Sequence, residues 1–169
     1  IIGGRLPLML TGEYFNNKEG FSEKYRNINK KNGWGKITSI NKRSVNDAIK
    51  KTIYDFLDDG HKVILIYPIP ETGFHVPKEL FKLFPSDLSK IANNIKPEAL
   101  STSYEVYKER TKSSFELLDS IQHKNLYRVY PDTVFCDSII KDRCATHDGY
   151  NVFYADDNHP SLQGARLIN

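Results

Sequence analysis

The sequence predicts an α/β layer fold built on a mainly parallel sheet. An amphipathic helix is followed directly by a continuous apolar run rich in β-branched residues, 62–67, which is typical of a strand covered on both faces. A second long helix then precedes another short strand, 126–130, so helices and strands alternate along the chain. The length of 169 residues, with 39% hydrophobic and 27% charged residues, suits one ordinary domain or part of one.

The first residues resemble the end of a buried strand. Ile1 and Ile2 are apolar, and the two glycines that follow them indicate a tight turn. We therefore expect more of the domain to precede Ile1. Residues 12–43 are rich in Gly, Asn and Lys and are predicted to form a long surface excursion, with a short hairpin at 36–40.

The clearest helix starts at Ser44, its predicted N-cap, and ends at Gly60. Its apolar stripe recurs at three- and four-residue spacing and consists of Val45, Ala48, Ile49, Thr52, Ile53, Phe56 and Leu57. After strand 62–67, several prolines predict a rigid loop, and a short helix follows at about 77–84. Such a loop at the carboxyl end of a parallel strand faces the usual ligand crevice.

A second long helix is predicted from about Ser101 to Ile121. Its inner face comprises Tyr104, Tyr107, Thr111, Phe115, Leu118 and Ile121. Pro131 ends the strand 126–130, and a last helix starts near Pro160. Three strands are visible, whereas a doubly wound sheet commonly has about five. We expect the missing strands before Ile1.

The two cysteines, Cys136 and Cys144, flank a polar, turn-like stretch. Their even number and local spacing favour a loop-closing disulfide, which would place the domain outside the cytoplasm. Two reduced thiols are the alternative. Two cysteines cannot form a zinc site alone, and His147 would add a third ligand only at an unusual spacing.

The charge pattern argues against a nucleic-acid partner, because the net charge is only +3 and the basic residues are scattered. The longest apolar run, 63–67, is too short to cross a bilayer.

A carboxylate and an imidazole, Asp156 and His159, lie three positions apart in the segment from Tyr154 to Ser161. On a turn, the Asp can orient the ring while the other ring nitrogen faces a cleft. That arrangement suits the acid and base of a serine-hydrolase triad. The alternative is a solvated turn or a helix cap, because Asp-rich turns before Pro often cap helices.

Several segments of the sequence form a recognisable set: Gly3-Gly4-Arg5, Asn17 to Gly20, Gly60 to Glu71, the Cys136 to Cys144 loop, and Tyr154 to Ala165. They resemble the SGNH-hydrolase domain fused to bacterial acyltransferase-3 (AT3) membrane proteins, which O-acetylate cell-surface carbohydrates such as the O-antigen of lipopolysaccharide. The closing motif and the strand-Pro-Ile-Pro-Glu segment are the most specific. The resemblance implies a three-layer α/β/α, flavodoxin-like SGNH fold with a mainly parallel sheet, of which residues 1–169 are the C-terminal portion and the first strands are missing.

The resemblance assigns Asp156 as the orienting acid and His159 as the general base of a triad. The family's serine belongs to a Gly-Asp-Ser block after the first strand, and no Gly-Asp-Ser occurs in this sequence. Ser22 and Ser161 stand in the wrong contexts. We therefore expect the nucleophile upstream of Ile1 and expect residues 1–169 alone to be inactive.

A second group of candidate residues follows the first strand end. Related SGNH hydrolases often carry Gly-x-Asn-Asp at this point, and the fused domains a Gly or Ala, Arg, Trp phrase. Here no Asn follows Gly4, and Leu6 replaces the Trp. An oxyanion contribution from the Gly4 amide or the Arg5 side chain is one hypothesis. The alternative is that the glycines make the turn and Arg5 is a surface or structural charge.

The resemblance implies a carbohydrate O-acyltransferase on the periplasmic face of the bacterial inner membrane, and acetyl is the acyl group expected. Its partners would be a fused or associated integral-membrane acyltransferase domain, which delivers the acyl group, and the carbohydrate acceptor. No metal or diffusible cofactor is expected. The alternatives are a carbohydrate esterase of the same fold and a non-catalytic carbohydrate-binding module.

Overall fold

A computed structural model of the chain describes residues 1–23, 42–83 and 97–168. The chain divides into two compact units. The first unit comprises Ile1–Tyr14, Lys24–Pro68 and Thr111–Val129. The second unit comprises Phe15–Glu23, Ile69–Arg110 and Tyr130–Asn169. The predicted hairpin at 36–40 and the side chain of the predicted N-cap, Ser44, lie outside the described part of the structure.

The described elements follow one another as a mixed α/β chain. In order they are α1 (Leu6–Thr11), α2 (Lys42–Asp58), β1 (Val63–Ile66), α3 (Val76–Leu83), a 3-10 turn (Pro97–Leu100), β2 (Ser101–Ser103), α4 (Tyr104–Asp119), β3 (Leu126–Val129), α5 (Asp132–Phe135), β4 (Arg143–Ala145) and α6 (Leu162–Ile168). No helix among these described residues is long and apolar enough to cross a membrane.

The first unit contains a small parallel sheet. Strands β1 and β3 pair in parallel, with Val63 opposite Leu126. On the other side of β1, Ile2 pairs in parallel with Leu65 through two backbone hydrogen bonds of 2.8 Å each. The three predicted strand segments therefore pair in parallel, as the sequence indicated.

The core of the first unit packs helices against this sheet. Its buried residues are Leu6, Ile53, Leu57, Val63, Leu65, Tyr67, Leu118, Ile121 and Leu126. The predicted apolar stripe of α2 is wrong in part, because Ala48, Thr52 and Phe56 are exposed. Tyr54 packs against the core instead. The buried face of α2 is therefore narrower than the apolar pattern, and Phe56 contacts the ring of His61 at the end of the helix.

The second unit contains a two-stranded antiparallel sheet that the sequence did not predict. Strand β2 pairs with β4, with Thr102 opposite Cys144. The Arg143 side chain also donates to the carbonyl oxygen of Ser101 at 2.8 Å. The prediction that the second helix begins at Ser101 is therefore wrong. Residues 101–103 are extended because their backbone groups pair with β4, and α4 begins at Tyr104.

Gly164 in α6 allows that helix to approach an extended segment closely. A Cβ atom added at Gly164 would lie 2.0 Å from the carbonyl oxygen of Phe153. Since the obstacle is backbone, either the helix or the segment would have to shift.

We therefore expect Gly164→Ala to lower the free energy of unfolding by about 1–3 kcal/mol. Gln163→Ala, an exposed change in the same helix, is the control and should stay within about 0.5 kcal/mol of the wild type. Urea denaturation measures both. Equal stabilities for the two variants would contradict the close approach.

Candidate acid–base site

The segment that carries Asp156 and His159 is a closed turn in the second unit. Tyr154 and Pro160 form an antiparallel bridge at its base. The backbone N–H of Ala155 donates to the carbonyl oxygen of His159 at 2.9 Å. The turn therefore places its first and last residues side by side, so a carboxylate and a ring three positions apart can meet.

The Asp156 carboxylate holds the His159 ring in one orientation. Its Oδ1 accepts hydrogen bonds from the backbone N–H groups of Asn158 (2.9 Å) and His159 (2.8 Å). Its Oδ2 lies 2.7 Å from Nδ1 of His159. Partial burial acts to raise the pKa of Asp156, but these hydrogen bonds outweigh it and hold that pKa below its ordinary value.

This geometry fixes which ring nitrogen carries the proton in the neutral imidazole. An ionised carboxylate can only accept hydrogen bonds, so Nδ1 of His159 donates to Asp156. Nε2 is then left with its lone pair, which is the state a general base requires. The His159 side chain is 73% exposed, so a reacting group can reach Nε2 from solvent.

Asp156 does not cap helix α6, as the alternative for this turn required. Both carboxylate oxygens are used within the turn. Instead, the hydroxyl oxygen of Ser161 accepts from the backbone N–H of Gly164 at 3.1 Å, at the start of α6. Ser161 therefore caps the helix and leaves Asp156 to orient the ring.

A second pair of carboxyl groups lies beside the acid–base turn. The side-chain amide of Asn158 donates to Oε1 of Glu23 (3.3 Å) and to Oδ1 of Asp157 (3.1 Å), and so bridges the two carboxyls. Burial raises the pKa of Asp157, and the neighbouring Glu23 raises it further. Asp157 is therefore less favourably ionised in the folded chain than in the unfolded chain.

This elevated pKa predicts a pH-dependent effect of Asp157→Asn. A carboxyl group with a raised folded pKa contributes stability below its unfolded pKa and loses that contribution as pH rises through the folded pKa. The amide removes the charge and keeps the shape, so we expect the variant to melt at a higher temperature than the wild type at pH 8. At pH 3 the gain should vanish. Melting curves at the two pH values check this, and a lower Tm at pH 8 would contradict it.

The proline-containing loop between β1 and α3 is hydrogen-bonded to the turn, and the sequence did not predict these bonds. The Tyr154 hydroxyl donates to the carbonyl oxygen of Pro70 at 2.8 Å. The backbone N–H of Val76 donates to the carbonyl oxygen of Asp156 at 3.1 Å. The backbone N–H of Thr72 donates to the carbonyl oxygen of Asp157 at 2.9 Å. The sequence predicts this loop near a ligand crevice, but no local pattern indicates its bonds to the turn.

The loop is itself held by a buried ion pair. Nε of Arg110 in α4 donates to Oε2 of Glu71 at 2.8 Å, and both side chains are largely buried. The Arg110 guanidinium also lies over the Phe15 ring, 5.9 Å from its centroid. Glu71, the last residue of the Pro-Ile-Pro-Glu segment, therefore has a structural role.

The predicted disulfide is present: Cys136 and Cys144 are bonded, so the alternative of two reduced thiols is not what the structure shows. Beside it, Arg143 forms a two-point contact with the carboxylate of Glu19, with N–O distances of 2.8 and 2.9 Å. Within the described residues, no group of three or more His, Cys, Asp or Glu side chains could hold a metal ion.

Gly4 and Arg5 belong to the first unit, and Asp156 and His159 belong to the second. Gly3 and Gly4 follow the parallel bridge of Ile2, at the level where β1 ends. A Cβ atom at Gly3 would lie 3.1 Å from Cβ of Ile66, so this glycine permits a close approach to β1. Arg5 immediately precedes α1. The oxyanion role of Gly4 and Arg5 remains a prediction.

The α/β elements and the oriented carboxylate–imidazole pair define an α/β protein with an arrangement that suits the acid and base of a nucleophilic triad. The chain belongs to the family described as SGNH domain (fused to AT3 domains), whose model matches residues 1–169. Membership implies the SGNH fold and association of the family with AT3 membrane acyltransferase domains. No curated protein and no solved structure matches the chain.

Proposed function

We propose that the chain is part of an O-acyltransferase that transfers an acetyl group to a bacterial cell-surface carbohydrate such as the O-antigen of lipopolysaccharide. The observation that carries the proposal is the Asp156–His159 pair, with its 2.7 Å contact at Nδ1 and an exposed ring. Family membership supports acyl transfer as the reaction. The proposed location is the periplasmic face of the inner membrane, which the disulfide supports.

The proposed reaction has two half-reactions. Nε2 of His159 takes the proton of a serine hydroxyl, from a Gly-Asp-Ser block before Ile1, as the serine oxygen attacks the acyl carbonyl of the donor. The donor group leaves with that proton, and an acyl-serine remains. A sugar hydroxyl then attacks the acyl-serine, passes its proton to Nε2, and the proton returns to the departing serine oxygen.

Asp156 stabilises the imidazolium that forms in both half-reactions, since it is ionised and bonded to Nδ1. The Gly4 amide or the Arg5 side chain would donate to the tetrahedral oxyanion. The acyl group would arrive from the fused or associated AT3 membrane domain. None of these steps uses a metal or a diffusible cofactor.

The acceptor decides between a transferase and an esterase, because water and a sugar hydroxyl are activated by the same base. The exposure of His159 leaves room for either acceptor. The test uses the full-length chain with p-nitrophenyl acetate as donor and a de-O-acetylated cell-surface polysaccharide as acceptor.

We expect acetylated polysaccharide, detected by mass spectrometry, to exceed the free acetate formed. Acetate alone would contradict the transferase and favour the esterase. Neither product, with polysaccharide binding retained, would favour the non-catalytic module.

A further inference from the structure

We propose that Thr72 is a positioning residue for the Asp156–His159 pair, and that it acts through the peptide group between Asp157 and Asn158. The inference deepens the proposed function, because it names a residue outside the recognised motif that keeps the acid and base aligned. It is argued from contacts within the second unit alone.

Thr72 is buried, with 1% of its surface exposed, and it holds one carbonyl oxygen from two sides. Its backbone N–H donates to the carbonyl oxygen of Asp157 at 2.9 Å. Its hydroxyl lies 3.0 Å from the same oxygen and 2.6 Å from the carbonyl oxygen of Phe74. The single hydroxyl proton is thus shared between two carbonyls, which ties the loop to the turn.

The carbonyl held by Thr72 belongs to the same peptide group as the N–H that orients Asp156. A trans peptide group is planar, and its C=O and N–H point in opposite directions. Fixing the Asp157 oxygen therefore aims the Asn158 N–H, which donates to Oδ1 of Asp156 at 2.9 Å. The constraint passes from Thr72 through one rigid plane to the carboxylate, and from the carboxylate to the His159 ring.

Thr72 is itself held by a segment that contains Asn17, Glu19 and Phe21. The side-chain amide of Asn17, also 1% exposed, donates to the carbonyl oxygen of Thr72 at 3.4 Å. The Asn17 Oδ1 accepts from the backbone N–H groups of Glu19 and Phe21 at 2.8 and 3.0 Å. Gly73 has φ of 77°, and a Cβ atom there would lie 3.3 Å from the carbonyl oxygen of Phe21. The loop therefore has little freedom to move away from the turn.

The test compares three variants of the full-length chain. Thr72→Val removes the hydroxyl and keeps the branched shape, whereas Thr72→Ser keeps the hydroxyl. Thr146→Val is the matched control, because Thr146 is also 1% exposed and its hydroxyl donates to the carbonyl oxygen of Leu100, which is not part of the turn. We expect Thr72→Val to lower kcat about tenfold with KM unchanged, and both other variants to stay within about twofold of the wild type.

A second readout needs no activity, so it separates this inference from the proposed function. Histidine-selective ¹⁵N NMR reports which ring nitrogen of His159 is protonated. We expect the Nδ1–H tautomer to dominate in the wild type, Thr72→Ser and Thr146→Val, and to lose population in Thr72→Val. If Thr72→Val does not fold, Thr72→Ala takes its place in both measurements.

An unchanged tautomer in the variant without the hydroxyl would overturn the inference, and so would an equal loss of kcat in Thr72→Ser. If the tautomer shifts as expected but His159→Ala keeps full turnover, the positioning role stands and the proposed function fails.

Discussion

Replacing His159 with Ala should lower kcat for acyl transfer by about 10³-fold or more in the full-length chain, with little change in KM. In the proposed mechanism the ring moves the proton in both half-reactions, and its mutation leaves Asp156 without an imidazole to orient. Asp156→Asn should cost about 10⁴-fold. The side-chain amide of the new asparagine can donate to Nδ1 of His159, which favours the tautomer with the proton on Nε2.

Asp148 provides a matched control for the carboxylate. Its Oδ1 accepts from the backbone N–H groups of Tyr150 and Asn151 at 2.8 and 2.6 Å, in a local turn like that of Asp156. Its Oδ2 accepts from the side-chain amide of Asn151 at 3.0 Å, whereas Oδ2 of Asp156 contacts an imidazole. Asp148→Asn should therefore keep kcat within about twofold of the wild type, since this carboxylate takes no part in the proposed proton transfer. Equal losses in Asp148→Asn and Asp156→Asn would mean that the carboxylate matters only for folding.

Removing the disulfide should have the largest effect on stability. The bond closes a short loop, with a separation of 8 along the sequence. A chain-entropy estimate for such a loop gives about 2–3 kcal/mol, or roughly 5–10 °C in Tm. We expect Cys136→Ser combined with Cys144→Ser to lose this amount in urea denaturation, and reduced wild-type protein to match the double variant.

The loss follows from the position of the bond as well as from its entropy. Cys144 lies in β4, opposite Thr102 of β2, and the adjacent Arg143 contacts Glu19. Opening the loop would loosen these contacts too. Two titratable thiols in unreduced protein, or an unfolding free energy that the double variant leaves unchanged, would contradict the structure.

Local patterns predicted the parallel strands and the acid–base turn because each depends on neighbouring residues. The run 62–67 is apolar at every position but one, and Asp156 and His159 are only three positions apart. A turn of that length brings the two side chains together by its own backbone geometry. The sequence was therefore sufficient to predict the contact between Asp156 and His159. The hydrogen bonds of the structure add which ring nitrogen carries the proton, and the catalytic roles remain a prediction.

The missed features depend on contacts between distant parts of the chain. Strands β2 and β4 are three residues each, too short for a periodic pattern, and their partners Thr102 and Cys144 are 42 positions apart. Thr72 meets Asp157 across 85 positions, and Asn17 meets Thr72 across 55. A single polar residue in a loop gives no signal of such a partner. For Phe56 the sequence pattern predicted a burial that does not occur: the residue fits the apolar period of α2 and is nonetheless 46% exposed.

The proposed mechanism requires His159 to activate a serine that lies before Ile1. A fluorophosphonate probe reacts with activated serines, and peptide mapping by mass spectrometry then locates the labelled residue in the full-length chain. We expect one labelled serine in a Gly-Asp-Ser block N-terminal to Ile1, with labelling lost in His159→Ala and retained in Asp148→Asn. Labelling that is unaffected by His159→Ala, or that maps to Ser22 or Ser161, would contradict it.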